Sequence, residues 1–413
     1  MLHLNTRRPA KRAHAEALSQ TTLDEFRKYL QLRGYADTTI QQYVAAARRF
    51  RSWLCHSRKR YQPLGDASVA SFVRHCKVKH HLRYVHHIQS SLGHLMRMLR
   101  DSGELPDAPR PSPTVIDLAV QEFVAHLRNT CGLSEATCKC HAKYAHQFLK
   151  STYGNGPLRL ERLCRDDLAQ FVRSFAKQAT PASNQSLVGT LRRYLRYLQL
   201  LGICDERLVA SVPMIRRWRL ANLPRTMTEE QVHTFLSSFD RSTAIGRRNY
   251  GVALLMATLG LRASEVALLQ LDDMDWREAS LRIVSPKSRR MKVLPMPVAV
   301  GQAIVDYLRH GRPTVSHRHV FARHVAPRDI PLSGASIRAI AIRAYRCCGF
   351  DPQWKGTHIL RHTVATHIHR HGATLKEVAD LLGHRSIETS TIYAKVNLPA
   401  LAAVALPWPE VTT

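Results

Sequence analysis

Six residues in the last third of this 413-residue chain have the types and the order of a phosphoryl-transfer site. Arg262 stands in TLGLRASEV, Lys287 in LRIVSPKSRRMKVLPMP, His358 and Arg361 in THILRHTVATH, and His384 and Tyr393 in LLGHRSIETSTIYAKV. An arginine offers a planar fork that matches two phosphate oxygens, and His358 and Arg361, three positions apart, share a face if they lie on a helix. A phenol with a pKa of about 10 is a poor nucleophile in neutral water. Tyr393 becomes useful only where cations gather a phosphate beside it. Taken singly, Arg262 reads as a surface ion pair, His358 as a satisfied buried imidazole and Tyr393 as a packing residue. Order and spacing turn them into a set, with neither a nucleotide-binding loop nor a metal-ligand pattern beside it.

The elements that must position this set are legible in part. Leu259, Leu261 and Val266 anchor the first arginine, and Ile359, Leu360 and Val364 supply the apolar side of a helix through Arg361. Gly383 is placed to end a helix just before His384, whereas Tyr393 follows a Thr-rich stretch and is expected to be mobile. Alternating apolar residues predict strands at 280–284 and 292–296 around the Lys287 turn. The segment 224–398 therefore reads as mainly helical with one small antiparallel sheet, followed by a tail at 399–413. Leu398, Leu401, Val404 and Leu406 of that tail could pack on a neighbouring protomer or back in cis.

Composition points to a polyanionic partner. Lys and Arg number 61 against 31 Asp and Glu, a net charge of +30, and a balance of that size favours nucleic acid. No apolar run approaches the roughly 20 residues that span a bilayer, and the polar N-terminus lacks a signal-peptide core. Nine scattered cysteines, with Cys347 and Cys348 adjacent, suit reduced thiols and a cytoplasmic setting. The Cys138-Lys139-Cys140-His141 run lacks a second paired half and reads as ordinary helix. His362, His367, His369 and His371 have no carboxylate or cysteine at ligand spacing and are expected to be solvated or to face DNA. No metal or cofactor is expected.

Upstream, residues 21–105 and 114–205 read as two copies of one unit. Gly34 matches Gly132, Thr39 matches Thr137 and Phe50 matches Phe148, an offset of 98. VASFVRH at 69–75 matches LAQFVRS at 168–174, and LMRML and YLRYL each lead to a glycine, Gly103 and Gly202. Helical spacing of the apolar residues predicts four or five short helices per copy. A basic tail, 1–20, precedes them, a linker, 206–223, follows them, and proline-bearing segments close each copy. The fold class expected is mainly α, with two tandem helical domains ahead of a mixed α+β domain.

The chain resembles the tyrosine recombinase family, the phage integrases and Xer-type resolvases. The resemblance runs through LPRTMTEEQVHTFLSSF at 223–239, ATLGLRASEVALLQLDDMDW, the hairpin LRIVSPKSRRMKVLPMP, THILRHTVATH and LLGHRSIETSTIYAKV, about 190 residues in unbroken order. It implies that Tyr393 attacks a DNA phosphodiester to give a 3′-phosphotyrosyl bond and a 5′-hydroxyl, without ATP. Arg262 and Arg361 would hold the non-bridging oxygens, Lys287 would protonate the departing 5′-oxygen, His358 would assist proton transfer at the tyrosine, and His384 would donate to a phosphate oxygen. Glu265 would orient the site from behind. The turn reads SPKSRR where relatives carry glycines around the lysine, and Lys292 is the competing candidate.

In such enzymes a helical core-binding (SAM-like) domain precedes the catalytic one. Here the resemblance implies a duplicated one, with 114–205 the DNA-gripping copy and Lys139, Lys143, Arg192, Arg193 and Arg196, together with Arg289 and Arg290 of the turn, as DNA contacts. The first copy could extend the footprint, bind a second site or serve assembly. The implied partners are double-stranded DNA at paired sites, a homotetramer on that DNA, and possible partner recombinases or accessory proteins. Two other classes stay open: an accessory DNA-binding subunit that keeps the fold, and a type IB topoisomerase, against which the duplicated helical arm argues.

Overall fold

The computed structural model describes residues 18–56, 64–79, 82–107, 112–154, 156–214, 224–285, 291–354, 356–384 and 386–394. The chain forms two compact units, one drawn from residues 1–107 and 220–413, the other from 108–219.

The first unit begins with four helices, α1 (Gln20–Leu32), α2 (Asp37–His56), α3 (Asp66–Lys79) and α4 (Leu82–Asp101). Ser19 starts α1 by accepting from the Thr22 N–H at 3.0 Å, which satisfies a donor that the first helical turn leaves without a partner. Phe26, Leu30, Val44, Phe50, Leu92 and Leu99 fall on the inward faces of three of these helices and form a core of their own. Where α1 ends, the Arg33 carbonyl accepts from the Arg328 N–H at 2.9 Å, and Arg33 lies 3.6 Å from Asp329. This small bundle is thereby tied to the loop at 323–330.

The second unit contains α5 (Val115–Asn129), α6 (Glu135–Tyr153), α7 (Arg165–Ala176), α8 (Pro181–Leu200) and the short α9 (Glu206–Ala210). Thr114 and Asp117 form a reciprocal capping box at α5; Thr180 caps α8, with Pro181 at the first helical position, where its missing N–H costs nothing. Phe123, Leu127, Phe148, Leu168, Leu191 and Leu195 fill its core. Residues 20–101 and 115–200 thus each hold four long helices in the same order. The glycines matched by the repeat share a left-handed backbone, at φ 74° and 61° for Gly34 and Gly132 and 78° and 71° for Gly103 and Gly202. Cys138 is buried within α6 and His141 bonds Thr190 at 2.8 Å, as ordinary helix residues do.

The remainder of the first unit carries α10 (Glu229–Ser237), α11 (Ala244–Leu259), α12 (Ala263–Leu268), strands β1 (Met274–Asp275), β2 (Ser280–Val284) and β3 (Met291–Pro295), then α13 (Val298–His310), α14 (Gly334–Cys347), α15 (His358–Arg370), α16 (Leu375–Leu382) and α17 (Thr391–Ala394). The sheet is antiparallel in the order β1-β2-β3, with Ile283 opposite Lys292 and Val284 opposite Met291. The strand expected at 280–284 is found there, and the one expected at 292–296 begins and ends one residue earlier. Strand β1 is an addition, too short to show an alternating pattern. Among the described residues, no helix is long and apolar enough to cross a membrane.

Candidate active site

Two helices of this region end in the same way. Gly260 terminates α11 and Gly383 terminates α16, each in the left-handed region at φ 61° and 62°, where a glycine meets no steric penalty. A helix ended so leaves carbonyls without helical partners, at the negative pole of its dipole. Arg361, buried on α15, fills both gaps: one guanidinium nitrogen donates to the Gly260 carbonyl at 2.8 Å, and the other donates to the Leu382 carbonyl. Burial and then the neighbouring Arg262 push its pKa down to about 10, with Glu265 and Tyr393 opposing, so it stays charged at neutral pH.

Arg262 follows two residues after Gly260 and opens α12. Glu265 accepts from its backbone N–H at 2.9 Å and from its guanidinium at 2.7 Å. Burial pushes the Glu265 carboxyl up, but the Arg262 hydrogen bonds, with the charges of Arg262 and Lys292, outweigh it and hold the carboxyl below its ordinary range. The carboxylate therefore fixes the arginine while 22% of the Arg262 side chain stays accessible.

The period of two along β3 turns Lys292 to the same side as the buried Leu294. Its ammonium donates to the Leu381 carbonyl at 2.7 Å, next to the carbonyl that Arg361 takes. Burial lowers its pKa to about 8, with Arg361 and Arg262 adding to the effect and Glu265 opposing it. Lys287, Arg289 and Arg290 lie outside the described residues. Of the two lysines weighed in the sequence, Lys292 is the one seen beside Arg262 and Arg361.

His384 follows Gly383 directly, and its Nδ1 lies 2.7 Å from the buried Ser390 hydroxyl. Its ring stacks on Tyr393 with centroids 6.4 Å apart and planes 9° from parallel. On α17, Tyr393 is 1% exposed and packed with Ala365, Val378 and Leu382. Burial raises the phenol pKa, while Arg361 and Arg262 pull it down.

One histidine differs from its expected setting. His362, read with its neighbours as solvated or DNA-facing, is half-buried and brings Nδ1 to 3.0 Å from the Tyr393 hydroxyl. Four residues before it, His358 is exposed, with its ring centroid 6.4 Å from that of His362. Sequence alone gave one signal that was passed over, because positions 358, 361, 362 and 365 form one helical stripe. His367, His369 and His371 instead gather at the end of α15, where His369 and His371 pair with the Ala373 and His367 carbonyls.

In the second unit, the exposed Lys139 and Lys143 sit four apart on α6, and the exposed Arg193 and Arg196 three apart on α8. Arg192 is half-buried and donates to the Val212 and Pro213 carbonyls at 3.3 and 3.4 Å, whereas Lys139 lies 3.8 Å from Glu135 and Lys143 stands over the Tyr144 ring.

Known proteins share both segments. Residues 225–398 match the phage integrase family, and residues 22–96 match the N-terminal SAM-like domain of phage integrases. A Sinorhizobium fredii protein bearing the name integrase/recombinase y4rA is 34% identical over 93% of this chain and 93% of its own length. Among solved structures, the XerH site-specific recombinase bound to palindromic difH substrate aligns with a TM-score of 0.54 at 19% identity, over 75% of this chain and 94% of that one. The Tn1549 transposon integrase with transposon right-end DNA aligns with a TM-score of 0.54 at 15% identity, over 69% and 99%.

Proposed function

This chain belongs to the phage integrase family of tyrosine recombinases, and from that premise we propose that it is a site-specific DNA recombinase whose nucleophile is Tyr393. The observation that carries the reading is the gathering of Arg262, Arg361, His384 and Tyr393, from three separate segments of the chain, around the ends of α11 and α16. The phenol oxygen bonds to phosphorus as the P–O5′ bond breaks, leaving a 3′-phosphotyrosyl link; a 5′-hydroxyl of a second strand reverses the step. Bond energy is kept in the covalent link. Arg262 and Arg361 neutralise charge on the non-bridging oxygens as it builds in the transition state, and His384 donates to one of them. Lys287 protonates the 5′-oxygen, and His358 serves proton transfer at the tyrosine.

The two four-helix segments are read as a duplicated DNA-gripping domain. Lys139, Lys143, Arg193 and Arg196 contact phosphates and position the protein without reading sequence, while the first copy extends the footprint. The assembly is a tetramer on paired sites, encoded by a mobile element and working in the cytoplasm on the nucleoid. DNA carrying a nick beside the cleavage site traps the covalent intermediate, because the short 5′-hydroxyl fragment diffuses away. A protein–DNA adduct that forms without added metal and disappears in Tyr393→Phe is the expected result. No adduct on the element's own ends would favour an accessory DNA-binding role, and adducts without strand transfer between two sites would favour a topoisomerase.

A further inference from the structure

We propose that the turn between α1 and α2, Arg33 to Tyr35, is a docking face for the loop at 323–330, and that through this loop the first helical segment steadies the helix opened by Arg262. The proposal goes beyond the recombinase reading and leans on it only for the task of Arg262. Its ground is a difference between matched positions of the two helical segments. Gly34 and Gly132 share the left-handed backbone, at φ 74° and 61°, which other residues enter at a cost. Of the two, Gly34 does a second thing. A Cβ built on it would stand 2.7 Å from Cδ, 3.1 Å from Cγ and 3.4 Å from Cβ of Arg328, whereas one built on Gly132 meets nothing within 4 Å. The Arg328 stem therefore lies against bare backbone, a closeness that a side chain at position 34 would prevent.

The residues around Gly34 differ from their matches in the same sense. At the offset of 98, Tyr29, Arg33 and Tyr35 stand where the second segment has Leu127, Cys131 and Leu133. The Arg33 guanidinium lies over the Tyr29 ring, 4.6 Å from the centroid, and 3.6 Å from Asp329, while the Arg33 carbonyl accepts from the Arg328 N–H at 2.9 Å. Tyr35 is braced by His94, its hydroxyl 2.9 Å from Nε2. Each contact is modest alone, but the partners belong to one chain, and tethering raises the effective concentration at which they meet. The loop they hold is built into the catalytic region at both ends. Val320, Phe321 and Ala322 before it and Leu332 after it are buried, whereas Val325 and Ile330 between them are exposed. Past Leu332 the chain enters α14 at Gly334, where an added Cβ would stand 3.4 Å from Ser264 Cα and N and 3.5 Å from the Ala263 carbonyl carbon. Those are the first residues of α12, whose N-cap is Arg262. Six positions thus lead from Arg328 to the seat of Arg262, and pinning the loop restrains that seat. Arg33 and Gly34 are positioning residues on this account, and any DNA that the first segment reaches is reached from a fixed place beside the catalytic region.

The test measures amide deuterium exchange in the full chain without DNA. Asparagine tolerates the left-handed backbone, so Gly34→Asn and Gly132→Asn carry similar strain and differ in the collision with Arg328. Gly34→Asn is expected to speed exchange of the Arg328 amide about tenfold or more, and that of the Glu265 and Val266 amides, which donate to the Arg262 carbonyl at 2.9 and 3.0 Å, about threefold or more. Amides of α2 and α4 should stay as protected as in wild type. Gly132→Asn should leave the Arg328, Glu265 and Val266 rates unchanged. On nicked DNA at saturating protein, Gly34→Asn should form the covalent adduct about three- to tenfold slower. An Arg328 amide unmoved by Gly34→Asn, or moved equally by Gly132→Asn, overturns the docking face. A loosened Arg328 amide with Glu265 and Val266 unmoved, or with adduct forming at the wild-type rate, overturns the coupling to Arg262. Should Gly34→Asn unfold the α1–α4 bundle, substitutions in the loop decide: Asp329→Lys sets like charges together at Arg33 and should loosen the same three amides, and Asp329→Glu should keep them slow. The reverse order, or no difference between those two variants, overturns the proposal. Failure of the recombinase reading itself would look different, as wild type would then form no adduct while the exchange rates still decide the docking.

Discussion

Glu265 accepts twice from Arg262, at 2.9 Å from its backbone N–H and 2.7 Å from its guanidinium. The same carboxylate therefore caps a helix and aims the Arg262 guanidinium, proposed above to hold phosphate, so the two tasks fail together. Glu265→Ala leaves a buried donor and a partly buried cation without their acceptor. Breaking such a pair costs about 3–5 kcal/mol when both members are buried; the accessible edge of Arg262 brings the expectation to about 2–3 kcal/mol, read from urea unfolding. Because the folded carboxyl is held below its ordinary value of 4.5, its contribution is present above that pH and is lost as pH falls through the folded value. Glu265→Gln should lack that acid-side loss and should cleave at least tenfold slower through a misaimed Arg262.

Gly260 predicts a sharper steric outcome. Its φ of +61° is strained for any other common residue, and an added Cβ would stand 3.0 Å from Leu382 Cδ2 and 3.5 Å from Val364 Cγ1. Gly260→Ala is thus expected to destabilise by about 1–2 kcal/mol. The push falls on Leu382, whose carbonyl Arg361 holds, and on Gly260's own carbonyl, the other partner. Cleavage should drop by more than the lost stability explains, measured at a temperature where the variant is fully folded. A variant that loses stability alone would show that Arg361 does not depend on this helix end.

These relationships explain which parts of the site a sequence can disclose. Arg262, Arg361, His384 and Tyr393 sit in short segments whose local chemistry, a glycine ending a helix and a cap opening the next, is written in neighbouring residues. What joins them is long-range. That Arg361 fills the carbonyls of Gly260 and Leu382, 101 and 21 positions away, depends on two helix ends meeting, and no spacing rule states that. Lys292 was legible as a strand residue, but its inward side and its Leu381 partner, 89 positions on, were not. The burial of Tyr393 among Ala365, Val378 and Leu382 was not legible in the Thr-rich stretch before it, because those contacts come from α15 and α16. His362 was lost among its neighbours because four histidines on one helix look alike until the packing of α17 singles one out. In the bundles, the matched Phe50 and Phe148, both buried, were legible because helical periodicity marks the buried face.

Acid should weaken the folded site before it reaches the carboxylates. His362 and His384 both have folded pKa values pushed down to about 4, by burial first and then by the cations around them, from an ordinary 6.5. Between those values the unfolded chain binds the protons that the folded one refuses, so stability rises with pH through this window and is lost as pH falls through it. Each pKa unit corresponds to about 1.4 kcal/mol, and with partial solvent access an effect on the order of 2 kcal/mol per histidine is expected. Unfolding free energies measured from pH 7 down to pH 4 should fall for wild type. The double variant His362→Gln, His384→Gln should show a visibly flatter curve, and equal slopes would mean that other groups titrate there.

Lys292 gives the last and least intuitive expectation, that removing a buried cation spares the fold and harms the reaction. Its ammonium holds the Leu381 carbonyl at 2.7 Å, a contribution of about 1 kcal/mol for an ordinary hydrogen bond. Against this stands the cost of burying its charge, visible in a pKa lowered to about 8 from 10.5 by desolvation and by Arg361 and Arg262. Between pH 8 and 10.5 the unfolded chain holds the proton more tightly, so wild-type stability should rise with pH there. Lys292→Met keeps the apolar stem along β3, removes the penalty, and should melt within a few degrees of wild type or above it, without the alkaline rise. Glu265 retains Arg262, so no carboxylate is orphaned. Cleavage should nonetheless fall about tenfold or more, because a cation near the phosphate and the tie between β3 and α16 are lost together. A destabilisation above about 2 kcal/mol with normal cleavage by the folded fraction would mean that Lys292 serves the fold and not the phosphate.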